Sequence, residues 1–174
     1  GLKAMRELYF KGEREANPYH YGIIPEVTVK ADGSTSVVKH NAMSRGTWEV
    51  AKLMPDGRTA YLGDDGAYVQ MTLFVADKYG DLSAGTVYTA KWNQTSDQGG
   101  GRADLTWIRL GHGTDAEISA LANSLKFNDI FDAIAPSEGQ CPAGYKRVRA
   151  GSSSDECLVL KPGMEKAAAF LETR

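Results

Sequence analysis

Apolar and polar residues alternate along much of the first two thirds of the chain, in short runs that end in turn residues. β-Branched and aromatic side chains fill five such runs, at residues 47–54, 58–62, 69–76, 86–92 and 103–110. Alternation with a period of two is typical of strands, and the intervening glycines and aspartates supply turn conformations. The sequence therefore predicts an antiparallel meander across residues 47–110.

A shorter pair of strands is expected before the meander. Residues 21–29 and 35–40 are the two candidates, and an Ala-Asp-Gly-Ser turn at residues 31–34 joins them. Pro25 lacks a backbone N–H, so the first strand is expected at a sheet edge or with a bulge.

After residue 113 the period of the apolar residues changes to that of a helix. Thr114 and Glu117 have the spacing of a capping box, in which each side chain satisfies a free backbone N–H. Apolar residues at helical spacing continue until Pro136, so residues 114–134 are predicted to be mainly helical. Another helix is expected near the end of the chain, marked by Met164, Ala167, Ala168 and Leu171.

The predicted fold class is mainly β with appended helices (α+β). Residues 17–110 form the β-rich part and residues 111–174 the part with helices and a disulfide loop, within a single domain or a piece of a larger protein spanning residues 1–174. A meander of this size has the form of one β-propeller blade, although a sheet of a β-sandwich has the same pattern.

The net charge and the length of the apolar runs each argue against one class of protein. The chain has 174 residues and a net charge of −2, which gives no electrostatic footprint for nucleic acid. No apolar run approaches the roughly 20 residues of a membrane-spanning helix. We therefore expect neither a nucleic-acid partner nor a membrane span.

The two cysteines, Cys141 and Cys157, flank a loop rich in glycine and serine. Two thiols without a nearby histidine make a poor zinc site. A local disulfide is the favoured interpretation and implies an oxidising compartment, whereas two unpaired thiols in a cytosolic loop are the alternative.

Three acidic residues are candidates for a cation site. Asp64 and Asp65 lie where one predicted strand ends, and Glu49 lies one strand earlier, so a hairpin brings the three towards each other. Carboxylates are the ligands that hard cations such as Ca²⁺ prefer. The alternative is a hydrogen-bonded Asp-Asp-Gly turn without a ligand.

The chain resembles the PhoX-type secreted alkaline phosphatases, bacterial β-propellers with metals in the central channel. The resemblance runs from about Asn17 to the C-terminus and is most distinctive in the block from GDDG at residues 63–66 to AKW at residues 90–92. NPYHYG near the start, GGGRADLTWIRLGHG and the closing GMEKAAAFLETR also contribute. One difference is Trp48, since family members typically have histidine before the glutamate that corresponds to Glu49.

The resemblance implies a metal-dependent phosphomonoesterase of the periplasm or the extracellular space. Glu49, Asp64 and Asp65 would then be metal ligands, with calcium as the first candidate metal and iron as the second. Family members are several times longer, so the chain would be an internal piece with an incomplete active site. Its partners would be a phosphate-ester small molecule and the rest of a longer chain or other subunits.

Other functions remain open at this point. The alternative is a non-catalytic β-rich binding or assembly module, with or without a structural calcium, or a structural piece of a larger complex.

Overall fold

The fold was analysed in a computed structural model that describes residues 2–149 and 154–172. Its ten strands are β1 (Ile23–Val29), β2 (Thr35–Arg45), β3 (Trp48–Leu53), β4 (Thr59–Asp64), β5 (Met71–Lys78), β6 (Asp81–Ser96), β7 (Arg102–Thr114), β8 (Phe131–Ile134), β9 (Lys146–Val148) and β10 (Glu156–Leu160). Its α-helices are α1 (Leu2–Tyr9), α2 (Asp115–Ser124), α3 (Phe127–Ile130) and α4 (Glu165–Leu171). Short 3₁₀ helices lie at Pro18–His20 and Gln98–Gly100.

The central sheet is the meander that the alternating pattern predicts. Strands β3 to β7 lie side by side in chain order, and every neighbouring pair is antiparallel. The mainly β fold class with appended helices is therefore confirmed.

One face of the meander carries the core. On β4, the side chains of Ala60 and Leu62 are buried, and on β5 Thr72, Phe74 and Ala76 are buried, each separated by a more exposed residue. Helices α2 and α4 pack beside β2 and β7. The apolar stripe of the helices thus meets the apolar face of the sheet.

Two glycines of β7 leave room for this packing. A Cβ atom on Gly111 would lie 3.2 Å from the Phe170 ring, and one on Gly113 would lie 2.9 Å from Ile118. Phe170 and Ile118 are both almost fully buried. The glycines around His112, which would suit a turn, instead belong to a strand that lets a helix approach closely.

The first hairpin, β1 with β2, forms a separate two-stranded sheet. Both of its strands were predicted, but β2 continues to Arg45 and is longer than expected. Pro25 lies in β1, whose only described neighbour is β2. This agrees with the edge position that a residue without a backbone N–H favours.

The segment 114–134 is helical up to Ile130, but its last four residues form a strand. The capping box of Thr114 and Glu117 is present at the start of α2. Phe131–Ile134 pairs with β10 instead of continuing α3. Strands β8, β10 and β9 make a small third sheet that the periodicity did not indicate. Within the described residues, no helix is long and apolar enough to cross a membrane.

Candidate functional site

The predicted acidic residues lie on the hairpin of β3 and β4. Trp48 pairs with Asp64 and Val50 pairs with Gly63, so Glu49 is the extra residue of a β-bulge. A bulge bends the strand and changes the direction in which the side chain at that position points. Glu49 is exposed there, and Asp64 is half-buried at the end of β4.

Hydrogen bonds fix the turn that follows β4. The Asp64 Oδ1 atom accepts the backbone N–H of Thr47 at 2.6 Å. The backbone N–H of Asp65 donates to the Thr47 carbonyl oxygen at 2.9 Å. The hydrogen-bonded turn is therefore present, and only one of the two Asp64 carboxylate oxygens takes part in it.

Asp64 opens onto a groove of about 950 Å³ between the meander, α4 and the third sheet. The groove is lined by Gly63, Asp64, Tyr68, Val69, Gln70, Met71, Thr89, Ala90, Trp92, Arg109, Leu110, Phe131, Arg149, Leu160, Glu165, Ala168, Ala169 and Glu172. Glu49 and Asp65 do not belong to this lining. Of the three predicted ligands, the structure thus assigns Asp64 to the groove.

Two arginines bring positive charge to the same groove. Arg109, on β7, is exposed, and no residue in the described ranges forms a hydrogen bond or ion pair with its guanidinium. Arg149, after β9, forms an ion pair with Asp155 at 2.9 Å. An arginine without a carboxylate partner is suited to bind an oxyanion through two parallel hydrogen bonds.

Gln70 is a further polar residue of the groove lining. The Gln70 Nε2 atom is buried, and none of the described residues accepts its hydrogen bond. Buried amide donors are nearly always satisfied in native proteins.

The acidic residues present do not make up a full set of ligands for a metal ion. Across residues 2–149 and 154–172, no group of three or more histidine, cysteine, aspartate or glutamate side chains is arranged to hold one. Calcium takes six to eight oxygen ligands. Asp64 contributes one carboxylate, so a cation in the groove needs further oxygen donors.

A buried cluster of polar side chains at His40 was not predicted from the sequence. The ring is almost fully buried, with Nε2 2.8 Å from a Glu26 carboxylate oxygen and Nδ1 3.0 Å from Asp115. The second oxygen of Asp115 accepts the backbone N–H of Ala42 at 2.8 Å. The partners come from β1 and the start of α2, and no spacing along the chain marks such a cluster.

His112 makes a second contact between a histidine and a carboxylate. It lies within β7, and its Nε2 atom is 2.9 Å from an Asp77 carboxylate oxygen on β5. This pair is solvent-exposed, with side-chain exposures of 41% and 45%.

The predicted disulfide is present between Cys141 and Cys157, with Cα atoms 5.5 Å apart. Cys157 is buried in β10, where it pairs with Ile134 on one side and Arg147 on the other. The bond therefore ties the loop before β9 to the middle strand of the third sheet, next to the segment that carries Arg149.

Comparisons with protein-family models, with curated proteins and with solved structures give no match to this chain. The resemblance to the PhoX-type phosphatases accordingly remains a prediction. The geometry of the groove is the remaining basis for a functional proposal.

Proposed function

We propose that this chain is part of a metal-dependent phosphatase-like protein that hydrolyses phosphomonoesters, and that the groove holds the phosphate. The carrying observation is that Asp64, from the Gly-Asp-Asp-Gly turn, opens onto the same groove as Arg109 and Arg149. A carboxylate for a hard cation and guanidinium groups for an oxyanion are the two charge types that such a site combines.

The proposed role of Arg109 follows from the negative charge of a phosphoryl group. A phosphoryl group carries negative charge on its non-bridging oxygens, and donors fixed around those oxygens stabilise the transition state. The Arg109 guanidinium has no competing partner among the described residues, so it is available for a phosphate.

A bound calcium or iron ion would neutralise phosphate charge and polarise a bound oxygen. Asp64 supplies one ligand, and Glu49 and Asp65 remain candidates at the neighbouring turn. Because the set is incomplete among the described residues, we expect weak metal binding and little turnover by this chain alone.

The disulfide supports a periplasmic or secreted location. Bonds such as Cys141–Cys157 form and persist in oxidising compartments and are rare in the cytosol of most organisms.

A non-catalytic binding or assembly module is the competing function. It is favoured by the incomplete ligand set and by large apolar side chains on the surface, such as Trp92, which is 59% exposed. In that case the acidic turn holds a structural calcium or no ion.

Calorimetric titrations distinguish the two functions. Calcium chloride should bind weakly to the wild type and more weakly to Asp64→Asn, Glu49→Gln and Asp65→Asn, whereas Asp104→Asn, an exposed control on β7, should behave as the wild type.

Inorganic phosphate should lose about tenfold in affinity with Arg109→Gln, because a charge-assisted pair is lost. Arg102→Gln, on the same strand, is the matched control.

Three results would contradict parts of the proposal. Phosphate binding that is equal for Arg109→Gln, Arg102→Gln and the wild type would remove the groove as the phosphate site. Calcium binding unaffected by all three acidic substitutions would remove the metal site. Strong phosphomonoesterase turnover by the isolated chain would contradict the incomplete active site.

A further inference from the structure

Two exposed aromatic side chains line the groove. Tyr68 is 64% exposed and Trp92 is 59% exposed. Aromatic side chains have a large apolar surface, and a ligand with a flat apolar body can cover it by stacking. Because Arg109 lines the same cavity, apolar surface and a cationic group are available to one ligand.

Contacts with neighbouring residues hold the Tyr68 ring. Its backbone has φ = 57°, in the left-handed region that bulky residues rarely adopt. The Arg149 guanidinium lies 4.9 Å from the ring centroid, and its Nη1 atom donates to the phenol oxygen at 3.2 Å. The ring is therefore fixed by its surroundings although most of it remains in solvent.

Trp92 is fixed in a similar way. Its indole N–H donates to the Gln94 side-chain oxygen at 2.7 Å, which satisfies the one polar atom of the side chain. Side chains that are already ordered lose little conformational freedom when a ligand binds, which favours affinity.

We propose that the groove selects phosphomonoesters whose esterified group is a flat aromatic ring over esters of aliphatic alcohols. The inference rests on the proposed function, because the phosphate is held by Arg109 while Tyr68 and Trp92 contact the ring. An aryl phosphate satisfies both requirements, since a flat apolar ring and a dianion are joined by a single oxygen.

The test compares phenyl phosphate with glycerol 2-phosphate by calorimetry, at one fixed calcium concentration. Phenyl phosphate should bind the wild type about tenfold more tightly, the size of effect that aromatic contacts give. Trp92→Leu and Tyr68→Leu should each weaken phenyl phosphate binding several-fold, and Trp92→Leu should leave glycerol 2-phosphate binding unchanged. Trp92→Phe, which keeps a ring, should retain most of the preference, and Tyr79→Leu is the control for an exposed tyrosine outside the groove lining.

The outcomes separate this inference from the proposed function. Equal affinity for the two esters overturns the aromatic preference and leaves the phosphate site intact. Absence of binding by both esters and by inorganic phosphate overturns the proposed function as well. Phenol that binds as tightly as phenyl phosphate overturns the inference, because the charge of the ligand then contributes nothing.

Discussion

The side chain of His40 is held by a carboxylate on each side of its ring. Glu26 and Asp115 lie within hydrogen-bond distance of its two nitrogens. This cluster joins the first hairpin to the start of α2. A buried polar group contributes to stability mainly by keeping its partners satisfied.

Replacing His40 with leucine should therefore be costly. We expect a loss of about 2 kcal/mol in the free energy of unfolding, because the partly buried Asp115 carboxylate loses one of its two partners and keeps only the Ala42 N–H. His112→Leu is the matched control, since His112 also contacts a carboxylate but at the surface, where such pairs contribute about 0–1 kcal/mol. Denaturant unfolding measures both values, and equal losses would contradict the role assigned to burial.

The residues of the groove illustrate what local sequence can predict. Asp64 was identified from the Gly-Asp-Asp-Gly turn, and its position at the end of β4 agrees with that prediction. Arg109 and Arg149 were not identified, because neither lies in a motif. They line the same groove through contacts between strands that are far apart along the chain.

At the scale of single elements, the start of α2 has the clearest electrostatic signature. The Glu117 carboxylate accepts the backbone N–H of Thr114 and also contacts the Lys166 ammonium group. The Thr114 hydrogen bond, followed by Lys166, lowers the pKa of Glu117 below its ordinary value. The capping residues were predictable from sequence, whereas Lys166 comes from α4.

This lowered pKa has a defined effect on stability. The contribution of ionised Glu117 is present above the unfolded pKa of a glutamate, about 4.3, and is lost as pH falls through the lower pKa of the folded state. Glu117→Gln keeps the capping hydrogen bond but not the charge. Its thermal midpoint should lie below that of the wild type at pH 7, and the gap should narrow as the pH falls from about 5 towards 3.

The control for this experiment is Glu13→Gln, a substitution of an exposed glutamate before the first hairpin. It should follow the wild type at every pH. If the gap between Glu117→Gln and the wild type stayed constant from pH 7 to pH 3, the charge of Glu117 would not be its source.

The third sheet is small, and the disulfide links its middle strand to the loop before β9. Two of its three strands have four residues or fewer, and strands of this length are marginal by themselves. The Cys141–Cys157 bond closes a segment with a sequence separation of 16, which corresponds to about 3 kcal/mol in the chain-entropy model.

Removal of both sulfur atoms should reveal this contribution. The double substitution Cys141→Ala with Cys157→Ala should lower the free energy of unfolding by about 3 kcal/mol. Wild-type protein in reductant should unfold at nearly the same denaturant concentration as the double variant. Unchanged stability of both samples would contradict the account of the third sheet.

The sequence correctly predicted the elements in which the spacing of apolar residues agrees with the strand pairing of the folded chain. The alternation over residues 47–110 predicted the meander correctly because its strands pair with neighbours in the chain. Phe131–Ile134 has apolar residues at helical spacing, yet it forms a strand because β10 offers a partner. Pairing between distant segments overrode the local period there.

At the scale of the whole molecule, the sheet and the helices form one core, and the third sheet closes one side of the groove. Residues from Gly63 to Glu172 line that groove, so its shape depends on the complete arrangement of β4–β7, α4 and β10. Such a site cannot be derived from spacing along the chain. The groove nevertheless combines a carboxylate, which suits a cation, with guanidinium groups, which suit a phosphate.

The most direct test of this account is a ¹⁵N nuclear magnetic resonance titration of the chain with inorganic phosphate. If the groove binds the anion, the shifted amide signals should cluster at Gly63, Gln70 and Arg109, and those of Arg102 and His40 should remain in place. Arg109→Gln should abolish the shifts at the other groove residues. Shifts scattered over the surface, or shifts that persist in that variant, would contradict the assignment of the groove as the phosphate site.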